Sequence, residues 1–212
     1  MRDLCQNNWV LRKSQLFSTF LLSITLNAFG QAALETPTYT PVTAHQRLAW
    51  FANSTLGARA LTAGAFAAGF GTARDAPHEY GPHWQGLGER CGMRLTGVST
   101  GNAMEASLGA FWGEDPRYFR VASLSFKSRV RHVVLTTFTA PRHDGHFAPA
   151  YARYLATAGN NFLANTWRPD SEAKTSNAVT RTLWGFVGRM GSSAFMEFWP
   201  DVQARIFRTK QR

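Results

Sequence analysis

The 212-residue chain predicts an all-α protein, a bundle of about five to seven helices with close, Gly/Ala-rich crossings. Three observations carry that expectation. Apolar residues recur at helical spacing in several segments. No stretch holds the period-2 alternation and β-branched enrichment of strands. Apolar residues make up 44%, aromatics 13% and charged residues only 17%, which excludes a disordered chain with few aromatics and high charge.

The elements follow in order. Residues 1–32 read as a secretory signal peptide: Arg12 and Lys13 precede an uncharged, largely apolar run from Leu16 to Phe29, and small residues at Ala28, Gly30 and Ala32 offer cleavage sites. Residues 33–42 form a Thr/Pro-rich extended lead-in, and 43–212 a single helical domain without repeats or linkers. Thr43 caps a first helix through Leu48, Trp50 and Phe51. A second covers 55–73 and ends before Pro77. Pro82 suits the first turn of a third, which reaches Trp112 and stops at Gly113. Phe126, Val130, Val133, Val134 and Phe138 place a fourth over 125–139. Residues 141–145 read as a loop, and Pro149 opens a helix to Trp167. Ser171 starts a long helix to Trp199 that Pro200 breaks, leaving a short helix over 201–207.

Twelve of the eighteen glycines fall between Gly57 and Gly113, inside predicted helices. Each costs about 1 kcal/mol relative to alanine there, so close packing should compensate. Small residues at Gly64 and Ala68, Gly88 and Gly92, and Gly97 and Gly101 recur every four positions, a spacing that lets two helices approach closely. Segments 57–73 and 86–109 are therefore expected to pack as antiparallel neighbours. Trp50, Trp84, Trp112, Trp167 and Trp199 sit near predicted helix ends, as in an interfacial aromatic belt. Past the signal, charges such as Arg94, Glu105 and Arg189 interrupt every candidate for a full membrane span.

The formal charge is +10, and arginine supplies most of the base. For an exported protein this points to anionic lipid or another envelope polymer as partner, and not to nucleic acid. Arg117, Arg120, Lys127, Arg129, Arg131 and Arg142 form an acid-free basic stretch suited to anion or membrane contact. A second copy of the chain or another protein is the alternative partner. With the signal removed only Cys91 remains, which leaves no intrachain disulfide.

Chemistry is sparsely signalled. His78 and His83 are five residues apart, not the four that place two zinc ligands on one helical face. His143, Asp144 and His146 share a polar turn that reads as surface. Neither a metal nor a cofactor is expected, and no nucleophile elbow or phosphate-binding loop occurs. Glu105 lies among Ala103, Met104, Ala106 and Leu108, where a carboxylate needs a partner; Arg59, Arg94 and Arg181 are candidates. Asn160, Asn161 and Asn165 fall mid-helix, placed to bond between helices or to line a polar pocket.

The residues Trp112-Gly113-Glu114-Asp115-Pro116-Arg117-Tyr118-Phe119, followed by Pro149-Ala150-Tyr151 and Gly159-Asn160-Asn161-Phe162, resemble a group of exported bacterial helical proteins. The resemblance covers most of the chain past the signal and implies a shared helical fold, with no activity attached. The expected function is that of an envelope-associated, non-enzymatic protein acting through membrane-surface or partner packing. The alternative is a helical hydrolase or small-ligand binder whose pocket gathers Glu105, Asp115, His78, His83 and Asn161. N-terminal sequencing of the secreted protein should return a residue just after the 28–33 region; a start at Met1 or Arg2 would overturn the signal.

Overall fold

The computed structural model describes residues 39–209 of the chain, with side chains to Ile206. The predicted signal peptide and most of the lead-in lie outside the described residues. The chain from Thr40 onward is one compact unit and mostly helical. Its elements are α1 (Ala44–Leu56), α2 (Ala58–Ala73), α3 (His83–Trp112), α4 (Phe126–Phe138), β1 (Thr139–Pro141), β2 (Phe147–Pro149), α5 (Tyr151–Leu163) and α6 (Thr175–Thr209).

Local chemistry explains the boundaries. Thr43 forms a capping box with Gln46, each side chain accepting the other's backbone N–H, at 3.2 and 3.1 Å. Gly57 separates α1 from α2, because a Cβ there would stand 2.3 Å from the Asn53 carbonyl oxygen. Gly113 ends α3 in the left-handed region at φ 69°, and the Glu114 N–H closes the turn onto the Gly109 carbonyl at 2.8 Å. Ser125 caps α4 through the Ser128 N–H.

The long α3 is the central element, packed against α1, α2 and α5, while α6 packs against α5 and α4. Helices α2 and α3 run antiparallel: Gly64 lies beside Arg94, and Gly71 beside Arg90. Only half of the expected small-residue contact belongs to that pair. Gly101 faces α5 instead, where an added Cβ would meet Asn160 Nδ2 at 3.0 Å, and Asn160 donates to the Gly97 carbonyl at 2.9 Å. Gly88 and Gly92 face open space. A four-residue period marks a close approach without naming the partner helix, so the expected pairing of Gly97 and Gly101 with α2 was misplaced.

Two further expectations are corrected. The predicted loop at 141–145 is the turn of an antiparallel hairpin, with Ala140 opposite Ala148. Strands of three residues are too short to display a period of two. Pro200 does not break α6, which continues to Thr209. Proline removes the N–H that would reach the Met196 carbonyl, and the turn is held beside that gap by side chains: the neighbouring Glu197 carbonyl accepts from Arg120 Nε at 2.9 Å and Arg129 Nη2 at 2.6 Å.

The interior is unusual in content. Its buried apolar residues are alanines with Val42 and Val133, whereas the largest fully buried side chains are Glu197, Thr137 and Asp115. Large apolar side chains lie outside: Phe66 is 78% exposed and Phe111 81%. Among the described residues, no helix is long and apolar enough to cross a membrane.

The two glycine environments give opposite expectations. Gly101→Leu should overpack the α3–α5 crossing and lower stability by roughly 1–3 kcal/mol. Gly92→Ala, mid-helix and facing open space, should raise it by about 1 kcal/mol. Thermal midpoints of the two variants check both; a Gly101→Leu protein as stable as the parent would refute the crossing.

Candidate functional site

The segment from Glu114 to Phe119 leaves α3 through Gly113 and touches much of the fold. Glu114 is buried, and its carboxylate accepts the backbone N–H groups of Tyr151 and Ala152, both at 3.0 Å, at the start of α5. Its carbonyl accepts from Arg47 Nη2 of α1 at 2.8 Å. Asp115 is fully buried and grips the Arg117 guanidinium at 3.0 and 2.6 Å. Arg117 in turn donates to Gln46 Oε1 and the Thr40 carbonyl. The Tyr118 hydroxyl donates to Glu197 at 2.8 Å, and the Phe119 carbonyl lies 2.9 Å from His132 Nε2.

Two buried carboxylates organise the rest. Glu105 of α3 accepts from Arg153 Nε of α5 at 3.0 Å and from Arg189 of α6. Glu197 of α6 accepts from Arg129 Nε of α4 at 2.6 Å, besides Tyr118 and the Val121 N–H. Burial opposes ionisation of Glu105, but the charges and hydrogen bonds of Arg189 and Arg153 outweigh it and hold the carboxyl below its ordinary range. Burial is likewise overridden at Glu197 by the hydrogen bonds of Arg129 and Tyr118. At Glu114 burial wins over two backbone hydrogen bonds, and its carboxyl is raised.

A cleft of about 1170 Å³ opens between α2 and α6 over α3 and α5. That slightly exceeds the ~300–1,000 Å³ typical of ligand pockets. Arginine dominates its charge. Arg90, Arg168 and Arg181 stand at one end, Arg59 and Arg94 along α2 and α3, and Arg153 and Arg189 around Glu105. Glu105 and Glu172 are the acidic residues of the lining among the described residues. Arg90 donates to the carbonyls of Ala76, Gly81 and Pro77, and Arg181 to those of Glu172 and Asn161. Arg59 and Arg94 are exposed and make no hydrogen bond or ion pair with the described residues.

The expected catalytic residues do not converge. Glu105 and Asn161 line the cleft, whereas Asp115 is buried outside it and clamped by Arg117. His78 is exposed and bonded to Asp75 at 2.9 Å, and His83 is exposed, neither lining the cleft. Among the described residues, no group of His, Cys, Asp and Glu could hold a metal ion. The basic stretch also needs correction as a surface. Arg117 and Arg129 are bound to the buried Asp115 and Glu197, Arg120 pairs with Asp201 at the surface, and Arg142 is half-buried. Lys127 and Arg131 remain exposed. The acids that neutralise Arg120 and Arg129 are distant in sequence, which a local charge count overlooks, whereas Asp115 stands two residues from Arg117.

Arg153 and Arg189 are the partners of Glu105, not Arg59, Arg94 or Arg181. A signal for them existed. Arg181, Arg189, Ser193, Glu197 and Asp201 fall on one four-residue row of α6, which holds all of the helix's charges from Arg181 to Asp201.

A carboxyl held low in the folded state contributes stability that is present above its unfolded pKa, near 4.5, and lost as pH falls through the folded value. Glu105→Gln leaves Arg153 and Arg189 facing a neutral amide and should cost about 3–5 kcal/mol. Its unfolding midpoint should also decline less than the parent's on acidification below pH 4.5, which parallel melts at pH 7 and pH 3.5 measure. Comparison with protein-family models, curated proteins and solved structures found no match.

Proposed function

We propose that the protein is exported and envelope-associated, has no catalytic role of its own, and docks on a lipid surface through its outward apolar rows. The observation that carries this reading is the inverted build of α5 and α6. The one charge of α5, Arg153, is buried on Glu105, while Tyr151, Leu155, Phe162 and Leu163 are exposed. On α6, Arg181, Arg189 and Glu197 bond inward, and Asp201 pairs with Arg129 and Arg120 of the neighbouring elements. Two residues away at each turn, and so on the opposite face, Val179, Leu183, Val187, Phe195 and Trp199 are exposed. Contiguous apolar surface of this kind favours a covering phase.

Lipid is preferred over protein because of α4. Phe126, 72% exposed, and Val130 stand beside Lys127 and Arg131, the apolar and basic mixture that suits an anionic interface. The expected tryptophan belt adds to this at Trp84 and Trp199, both exposed. A hydrolytic role lacks support, since the carboxylates near the cleft are held in ion pairs.

With three of the six basic residues already held in ion pairs of the fold, apolar contact should dominate. The protein should therefore stay in the membrane pellet through high salt. Phe195→Glu combined with Trp199→Glu should shift it to the soluble fraction with its helical content unchanged. Quantitative fractionation of parent and variant tests this. A parent protein wholly soluble before any wash overturns the reading, and so does a variant that remains in the pellet.

A further inference from the structure

We propose that the cleft between α2 and α6 binds an anionic amphiphile: one phosphate or carboxylate head on an apolar chain. The inference goes beyond docking on a surface and stands on different residues, since Phe195 and Trp199 do not line the cleft. Charge is the first ground. Arginines outnumber the two lining carboxylates, and both carboxylates are already neutralised, Glu105 by Arg153 and Arg189 and Glu172 by Arg168. A concave site with walls of low dielectric focuses the remaining positive field inward.

The second ground is which arginines remain available. Arg90 and Arg153 are bound by backbone carbonyls or carboxylates of the fold, and Arg181 gives both terminal nitrogens to Glu172, Asn161 and Asn165, which leaves only its buried Nε without a partner. Arg59 and Arg94 are not so held: both line the cleft, and neither bonds to a described residue. A Cβ added at Gly64 of α2 would stand 3.6 Å from Arg94 Cδ and Nε, so the Arg94 side chain reaches across from α3 to α2 over that glycine. Two guanidiniums of this kind offer the planar, forked donors that match phosphate or carboxylate oxygens.

The walls supply the third ground. Ala60, Ala63 and Ala67 of α2 face the cleft from one side, and Trp184, Gly188 and Met196 of α6 from the other. A small hydrated anion would leave this apolar lining wet, whereas an acyl or alkyl chain removes it from water. The arginines set the head, and the alanine and tryptophan walls set the tail.

Titration of the full processed chain with dodecyl phosphate below its micelle concentration, followed by tryptophan fluorescence and calorimetry, tests the site. Saturable binding is expected, much tighter than that of inorganic phosphate or 1-dodecanol. Arg59→Gln with Arg94→Gln should weaken it by about tenfold or more while leaving the thermal midpoint in place. Ala63→Glu, which sets a negative charge on an exposed wall position, should weaken it independently. Absence of saturable binding by the parent overturns the proposal. Equal affinity for inorganic phosphate would reduce the site to a free-anion site, and equal affinity for dodecanol would remove the role of charge; either result also overturns it. Unchanged affinity in both variants would place the ligand elsewhere.

Discussion

Arg153 stands where most of the helices meet. From α5 its Nε donates to Glu105 of α3, and its Nη1 donates to the carbonyls of Thr136, Thr137 and Thr139 at the end of α4 and the start of β1. Glu105 passes the connection on to Arg189 of α6. Four helices and a strand are thus referred to one guanidinium–carboxylate pair. A second such junction, Glu197 with Arg129, Arg120 and Tyr118, joins α6 to α4 and to the segment that leaves α3. Between these junctions the apolar interior is mostly alanine. Alanine allows close approach but fills little space, so it specifies relative position weakly. Directional hydrogen bonds supply the specification. Such pairs contribute little net stability, because desolvation offsets the attraction, but losing one partner strands a buried charge.

What the sequence revealed follows from the range of each interaction. Caps and stops act within one turn, so Thr43, Gly113 and Ser125 marked helix ends legibly. Apolar spacing acts within one helix, so the all-α class could be read. Ion pairs act across the fold: the partners of Glu105 lie 48 and 84 residues away, and nothing in the local pattern of Glu105 distinguishes Arg153 from Arg59. The turn from Glu114 to Phe119 shows the same limit. Its composition singles it out, but that each of its groups bonds to a different element appears only when the chain is folded. The sequence leaves Asn160 either to bond between helices or to line a polar pocket; folded, it lines the cleft and donates to the Gly97 carbonyl. The cleft was illegible for a related reason, since its lining gathers residues from several helices.

Helix α6 shows how the inverted distribution is built. A row of every fourth residue drifts about 40° per step around an α-helix. The inward row therefore meets α5 at Arg181 and Glu105 of α3 at Arg189, and has rotated to face α4 by Glu197 and Asp201. One helix can in this way serve two neighbours in succession with the same residue period. The outward apolar row, two residues away, rotates with it and stays on the opposite side throughout.

The bonding of these junctions also accounts for the kind of base the chain contains. The sequence has nineteen arginines and four lysines. Arg153 bonds through two nitrogens in different directions, and Arg129 reaches Glu197, its carbonyl and Asp201 from three. An ammonium group is a single point at the end of a flexible stem and cannot span those acceptors at once. At these positions a lysine would preserve the charge and lose the joint. The chain's tolerance of change should accordingly be asymmetric. An exposed basic residue such as Arg131 can exchange with lysine, while the inner set is confined to one amino acid. A comparison of natural variants would then show the protein's interior through its arginines, much as most globular proteins show theirs through leucine and phenylalanine.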